Sequence, residues 1–217
     1  MRCAVPIFTD QQLNNLRREI SALLSEKRFA HVLAVEKMAN RLAMLFFNDA
    51  EDLSVVSAAA LLHDNTKELS FGEQVALLEK YRVEVLAEDL ASPPTLHAIT
   101  GALVIPEKFP EFADDRIISA VKHHTTGRED MTLYEKIIFL ADYIDETRDY
   151  PDCRAVRSLF WDSDPASMNT PERLRLLDTA ILSAIDRTLA HLEKEGRAIH
   201  PATLMARNQL RDGEVGI

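Results

Sequence analysis

The chain has 217 residues, 47% hydrophobic and 28% charged, with six glycines and nine prolines, a composition that suits one soluble globular domain with a sizeable core. No window reaches the about 18 apolar residues of a membrane span, and residues 1–10 lack the basic and apolar regions of a secretory signal, so a cytoplasmic chain with no membrane partner is expected. The 25 basic against 35 acidic residues give a net charge of −10, which argues against a duplex nucleic-acid partner, and Cys3 and Cys153 lack zinc or redox spacing and read as free thiols.

Helical periodicity runs through nearly the whole chain. Thr9-Asp10-Gln11-Gln12 has the form of a capping box, followed by Leu13, Leu16, Ile20 and Leu23 at three- and four-residue steps. A second amphipathic stretch runs from about Phe29 to Phe47, with Val32, Val35, Met38, Ala39, Leu42 and Phe46 on one stripe. Leu53 to Leu62 is nearly all apolar or small and reads as a buried helix ending at His63-Asp64.

Ser70-Phe71-Gly72-Glu73 opens a short helix toward Tyr81 with a second capping box. Ser92-Pro93-Pro94 reads as a loop, because proline opposes helix at its own and the preceding position. Helices are expected over 96–104, 114–123 and 132–146, the last opened by Thr132 with Glu135 three residues on. Trp161 to Thr170 reads as a polar loop before a helix with Pro171 at its first position, and a final helix starts after Pro201. With no strand-like alternation and no repeat, the expected fold is all-α, one domain.

Of seven histidines, His31, His63, His97, His123, His124, His191 and His200, pattern singles out some. His63-Asp64 stands where a wholly apolar helix gives way to the polar Asn65-Thr66-Lys67. A carboxylate and an imidazole there are costly unless paired, and a divalent cation removes the cost. Asp142 lies within Ile137, Ile138, Phe139, Leu140 and Ala141, so it needs a buried arginine or a metal, and a metal is the expectation. His31 is expected to open the long second helix, and His124 to end another. His191, among Glu193, Lys194 and Glu195, reads as a surface residue.

These residues resemble the H…HD…D motif of the HD superfamily, here His31, His63-Asp64 and Asp142. The flanks sharpen the resemblance: Arg28-Phe29-Ala30-His31, Leu61-Leu62-His63-Asp64-Asn65-Thr66-Lys67, His124-Thr125-Thr126-Gly127-Arg128, Phe139-Leu140-Ala141-Asp142-Tyr143-Ile144, and Ile199-His200-Pro201 with Ala206-Arg207-Asn208. They are similar to the YqeK-type branch, the symmetrical diadenosine tetraphosphate hydrolases, from about Glu26 to Leu210. Departures stand at Asn65-Thr66, where an aliphatic-small pair is common, at His123, where an aromatic is common, and over Trp161 to Pro171, which is longer and more polar.

The resemblance implies a single HD-type helical bundle: an N-terminal helical extension over 1–24, the HD domain over 25–210 and a tail over 211–217. It implies His31, His63, Asp64 and Asp142 as core metal ligands, with His97 and His124 holding a second metal or contacting phosphate. Asp64, Lys67, His97 and His124 are the implied catalytic residues. Arg28, Lys67, His97, His124, Thr125, Arg148, His200 and Arg207 are the implied nucleotide contacts. The cofactor it suggests is iron, as one or two ions, with manganese, cobalt, nickel and zinc also compatible with nitrogen and oxygen ligands.

The implied reaction is attack of metal-activated hydroxide on diadenosine tetraphosphate, giving two ADP. Asp64 is the natural bridge between two ions, having two oxygens. Lys67, one helical turn past the pair, is expected over the same site, and Arg148 and Arg128 are expected to reach phosphate from the rim. Two alternatives are a nucleotidase or deoxynucleotide phosphohydrolase of the same superfamily, and a regulatory metal- or nucleotide-binding module without catalysis. The oligomeric state is left open, a homodimer among the options.

Overall fold

In the computed structural model, which describes residues 8–84 and 87–215, eleven α-helices and two short 3₁₀ turns account for the regular structure, with no strand among the described residues. α1 (Asp10–Leu23) starts at the expected capping box, the Thr9 hydroxyl and the Gln12 side chain each satisfying the other's backbone N–H. It buries Leu13, Leu16 and Ile20, but Leu23, expected on the same stripe, ends the helix 48% exposed. α2 (Glu26–Ala43) is capped by Ser25. It therefore begins three residues before the expected Phe29 and ends before Phe46, which places His31 in its second turn rather than at its start. Arg17 of α1 reaches Glu36 of α2 at 2.9 Å, so residues 10–23 are tied to the bundle by an ion pair as well as by their apolar face.

α3 (Ala50–Leu62), capped by Asp49, is the centre of the fold. It packs against α1, α2, α7 (Asp115–His123) and α8 (Leu133–Ile144). A helix with neighbours on every side must be apolar on every side, and Ser54 through Leu62 are all buried. That run stops at His63, so the first polar residues after the core helix emerge at the edge of a dry interior. α4 (Phe71–Lys80) opens at the Ser70–Glu73 capping box, and α8 at the Thr132–Glu135 box.

The sequence reading missed two helices. α5 (Ala87–Ala91) is short, and α9 (Pro151–Trp161) begins on a proline, which is tolerated in a first turn where the N–H has no helical acceptor. The segment Ser92-Pro93-Pro94, expected to be a loop, leads into a 3₁₀ turn over Pro93–Thr95 and then α6 (Leu96–Lys108), which runs four residues past its expected end with Pro106 in its last turn. α10 (Thr170–Lys194) has Pro171 as its second rather than first residue, and α11 (Pro201–Val215) continues through Leu210. Cys153 is a buried free thiol, and Cys3 lies outside the described residues. No helix among the described residues is long and apolar enough to cross a membrane.

The turn after α3 is fastened to α6 by the two residues that depart from the family pattern. Thr66 Oγ1 donates to the carbonyl of His97 at 2.9 Å, and Asn65 Nδ2 donates to the carbonyl of Gly101 at 3.1 Å. A Cβ at Gly101 would stand 2.8 Å from Asn65 Oδ1 and 3.4 Å from Thr66 Oγ1. Gly101→Ala is therefore expected to push the turn away from α6 and to destabilise the protein by about 1–3 kcal/mol, the usual cost of overpacking. Thermal unfolding with and without metal checks this. An unchanged Tm would show that the turn yields freely.

Candidate active site

Five helices each deliver a ligand-type side chain to one point. His31 comes from α2, His63 and Asp64 from the end of α3, His97 from the first turn of α6, His124 from the residue after α7, and Asp142 from the last turn of α8. All but Asp142 are under a tenth exposed. Three of the imidazoles are held the same way: Nδ1 of His63, His97 and His124 lies 2.7, 2.8 and 2.7 Å from the carbonyl three residues earlier, at Ala60, Pro94 and Val121. A carbonyl only accepts, so Nδ1 carries the proton and Nε2 keeps its lone pair. His31 Nδ1 faces Asp145 Oδ2 and Thr147 Oγ1, each at 3.3 Å.

The Nε2 atoms converge on the two oxygens of Asp64, which face opposite ways. Oδ2 lies 3.5 Å from His63 and 3.8 Å from His31, and Oδ1 lies 3.1 Å from His97 and 3.8 Å from His124. Asp142 Oδ1 adds a further oxygen 3.0 Å from His31 Nε2 and 3.7 Å from His63 Nε2. Two groups of donor atoms, His31-His63-Asp64 and Asp64-His97-His124, share the one carboxylate, and a third, His31-Asp142-Asp145, shares His31.

The chemistry of this donor set calls for cations. Nε2 of His31 and His63 is buried without a hydrogen-bond partner, the 3.0 Å approach of His31 to Asp142 lacking hydrogen-bond alignment. Nε2 of His97 and His124 lie 3.1 Å apart, with both Nδ1 atoms already donating. Two lone pairs cannot hydrogen-bond each other, and a metal ion held by His97 and His124 would satisfy both. Burial holds His97 and His124 below the usual imidazole pKa, hence neutral, as ligands must be. Burial also disfavours the charged forms of His31, Asp64 and Asp142. Asp142 and Asp145 beside His31 outweigh it there and raise that imidazole to about 9, while His63 and His97 hold the Asp64 carboxyl, and Arg148 and His31 the Asp142 carboxyl, well below the usual range.

Beside the two donor groups opens a cavity of ≈ 560 Å³. Three cations stand at its junction with them. Arg28 Nη1 lies 3.0 Å from Asp64 Oδ2, Arg148 hydrogen-bonds Asp142, and Lys67 Nζ lies 3.2 and 3.3 Å from the ring nitrogens of His97. Burial lowers the Lys67 pKa, with Asp64 and Asp142 pulling the other way. In a chain of net charge −10 this gathering of cations makes a local anion site. Pro93, Pro94, Phe139, Tyr143 and Leu192 give the rest of the cavity an apolar wall.

Most of the residues singled out in the sequence meet here, with corrections. Thr125 and His200 line the cavity. Thr125 Oγ1 is buried without a hydrogen-bond partner, and His200 Nε2 is held by Asp89 at 3.0 Å. Lys67 reaches the site, but through the turn after α3, its N–H bonding the Asp64 carbonyl at 2.9 Å, and not on a continued helix. Asp142 has a half-buried arginine, Arg148, as well as the histidines. Arg207 is not brought to the cavity and pairs with Asp186 instead. Arg128 turns away from it to Glu135 at 3.0 Å.

His191, read as a surface residue, is exposed and paired with Glu195 at 3.2 Å, and it also borders the cavity with Arg197. Asp145 was given no role, yet it is fully buried against His31. Its place one helical turn after Asp142 was the signal available.

Comparison with known proteins places this arrangement among relatives. Residues 28–147 match the HD domain family. The symmetrical bis(5'-nucleosyl)-tetraphosphatase of Halalkalibacterium halodurans is 33% identical over 189 residues, covering 86% of this chain and 90% of that protein. The protein of the same name from Bacillus subtilis is 31% identical over 192 residues, covering 88% and 92%. Among solved structures, a predicted HD superfamily hydrolase involved in NAD metabolism from Clostridium acetobutylicum superposes with a TM-score of 0.80 at 27% identity, covering 96% of this chain and all of that one.

Because both donor groups share Asp64, Asp64→Ala is expected to lose metal from both, whereas His124→Ala loses it from one. Turnover in Asp64→Ala should fall by more than the 10–100-fold typical of losing a residue that only supports a metal ligand. Elemental analysis, with circular dichroism to verify folding, checks this. Undiminished metal in Asp64→Ala contradicts the shared role.

Proposed function

Since the chain belongs to the HD domain family, we propose that its histidine–aspartate centre binds two transition-metal ions and hydrolyses diadenosine tetraphosphate and related dinucleoside polyphosphates symmetrically, releasing two ADP. The observation that carries the reading is Asp64, whose two oxygens face two separate histidine pairs beside a cation-rimmed cavity of nucleotide size. The names of the relatives from H. halodurans and B. subtilis support the substrate. Their substrate needs a site that tolerates several negative charges, and the cation group provides one.

His31, His63, Asp64 and Asp142 hold one ion, and Asp64, His97 and His124 the other. Iron is the proposed metal, in keeping with a set of nitrogen and oxygen donors free of thiolate. When bound, such ions supply Lewis acidity toward phosphoryl oxygens and lower the pKa of coordinated water.

The chain's own residues then have defined tasks. Arg28 and Arg148 neutralise and position the phosphate chain, as guanidinium forks do. The Thr125 hydroxyl, otherwise unpartnered, donates to a phosphate oxygen. The oxygen of water joins one central phosphorus, and the bridging oxygen departs with the other. Lys67 stands where it can pass a proton to that leaving oxygen. Tyr143, Phe139 and Pro94 offer the base an apolar wall, and His200, fixed by Asp89, faces the same space.

Product analysis of the metal-loaded protein tests the proposal. Two ADP per diadenosine tetraphosphate are expected. AMP with ATP, or no turnover beside rapid hydrolysis of mononucleotides, overturns it.

A further inference from the structure

A second cavity, of ≈ 450 Å³, lies on the other side of the same three cations. Arg28, Lys67 and Arg148 line both cavities, so the cation row is a partition shared by two chambers. The chambers meet different parts of the candidate centre: the first is lined by Asp64, His97, His124 and Asp142, the second by His31. The second is built from the start of α2, the turn after α3 and the turn between α8 and α9, which contribute Ser25 and Lys27, Glu68, and Thr147 and Tyr150 respectively.

Resting on the reading given under Proposed function, we infer that this second chamber binds the other nucleoside diphosphate half of the substrate, with Tyr150 stacking on its base. A dinucleoside tetraphosphate cut at its centre has two identical halves. The scissile P–O–P bridge therefore has two phosphates between it and a nucleoside on both sides, and a centre that cuts only there gains from holding both ends. The shared cations lie where the four phosphates cross from one chamber to the other.

The lining has the chemistry for a nucleoside. Tyr150 is 69% exposed and precedes α9 without a side-chain capping bond, so its ring is free to take a stacking partner. Glu68 accepts from the Ser25 N–H and hydroxyl, at 2.6 Å each. Each of its oxygens keeps a lone pair for a ribose hydroxyl. Lys27 adds a cation at the entrance. The volume falls within the range of ordinary small-ligand sites.

The test compares two substrates in the metal-loaded protein: diadenosine tetraphosphate, and adenosine 5'-tetraphosphate, which has the same phosphate chain with one nucleoside. Stacking on an aromatic ring typically changes affinity by about tenfold or more. Tyr150→Ala is expected to raise KM for the dinucleotide about tenfold more than KM for the mononucleotide, and Tyr150→Trp to retain the wild-type ratio. Equal changes for both substrates, or none for the dinucleotide while wild-type protein still yields ADP from it, overturn the second chamber and leave the proposed function standing. Failure of the wild type to yield ADP overturns both.

Discussion

The Asp64 carboxylate, 2% exposed and ringed by the Nε2 atoms of four imidazoles, is the constraint on which the rest of the structure turns. A buried charge costs several kcal/mol unless compensated, and three of the four imidazoles turn an Nε2 without a proton toward it. Arg28 answers one oxygen in the metal-free chain. The remainder of the demand is for cations between Asp64 and the histidines. The fold is arranged around that demand: an all-apolar α3 carries the pair into a dry interior, and the i−3 carbonyls lock three of the rings in the one tautomer that leaves Nε2 bare.

Rigidity around the pair follows from the same need. Thr66 and Asn65 tie the turn to α6, so His97 and Asp64 keep their relation. Asp145 stands behind His31 as carboxylates commonly stand behind metal-bound histidines. The cations of the site have carboxylate partners of their own: Arg28 on Asp64 and Arg148 on Asp142. Metal ions that take over those carboxylates would release both guanidinium groups toward phosphate, which links filling of the centre to readiness for an anionic substrate.

Local chemistry was legible in the sequence, and long-range pairing was not. The capping boxes at Thr9, Ser70 and Thr132 act within four residues and could be read directly. The HD motif was legible because its flanks keep their order along the chain. Arg128 and Arg207 were misjudged because Glu135 and Asp186 claim them through geometry set by packing. His191, in the last turn of α10, and Arg197, just past its end, come to the cavity wall through the packing of that helix among the others. α9 begins on Pro151, which is tolerated in a first turn, and no side-chain cap precedes it to mark the start.

The claim at the centre, that one carboxylate bridges two ions, is most directly tested by crystallography of the metal-loaded protein with anomalous scattering at the metal edge. Two peaks are expected, one beside each oxygen of Asp64 and about 3.5–4 Å apart, the first among His31, His63 and Asp142 and the second between His97 and His124. A single peak, or two peaks of which only one contacts Asp64, contradicts the bridge.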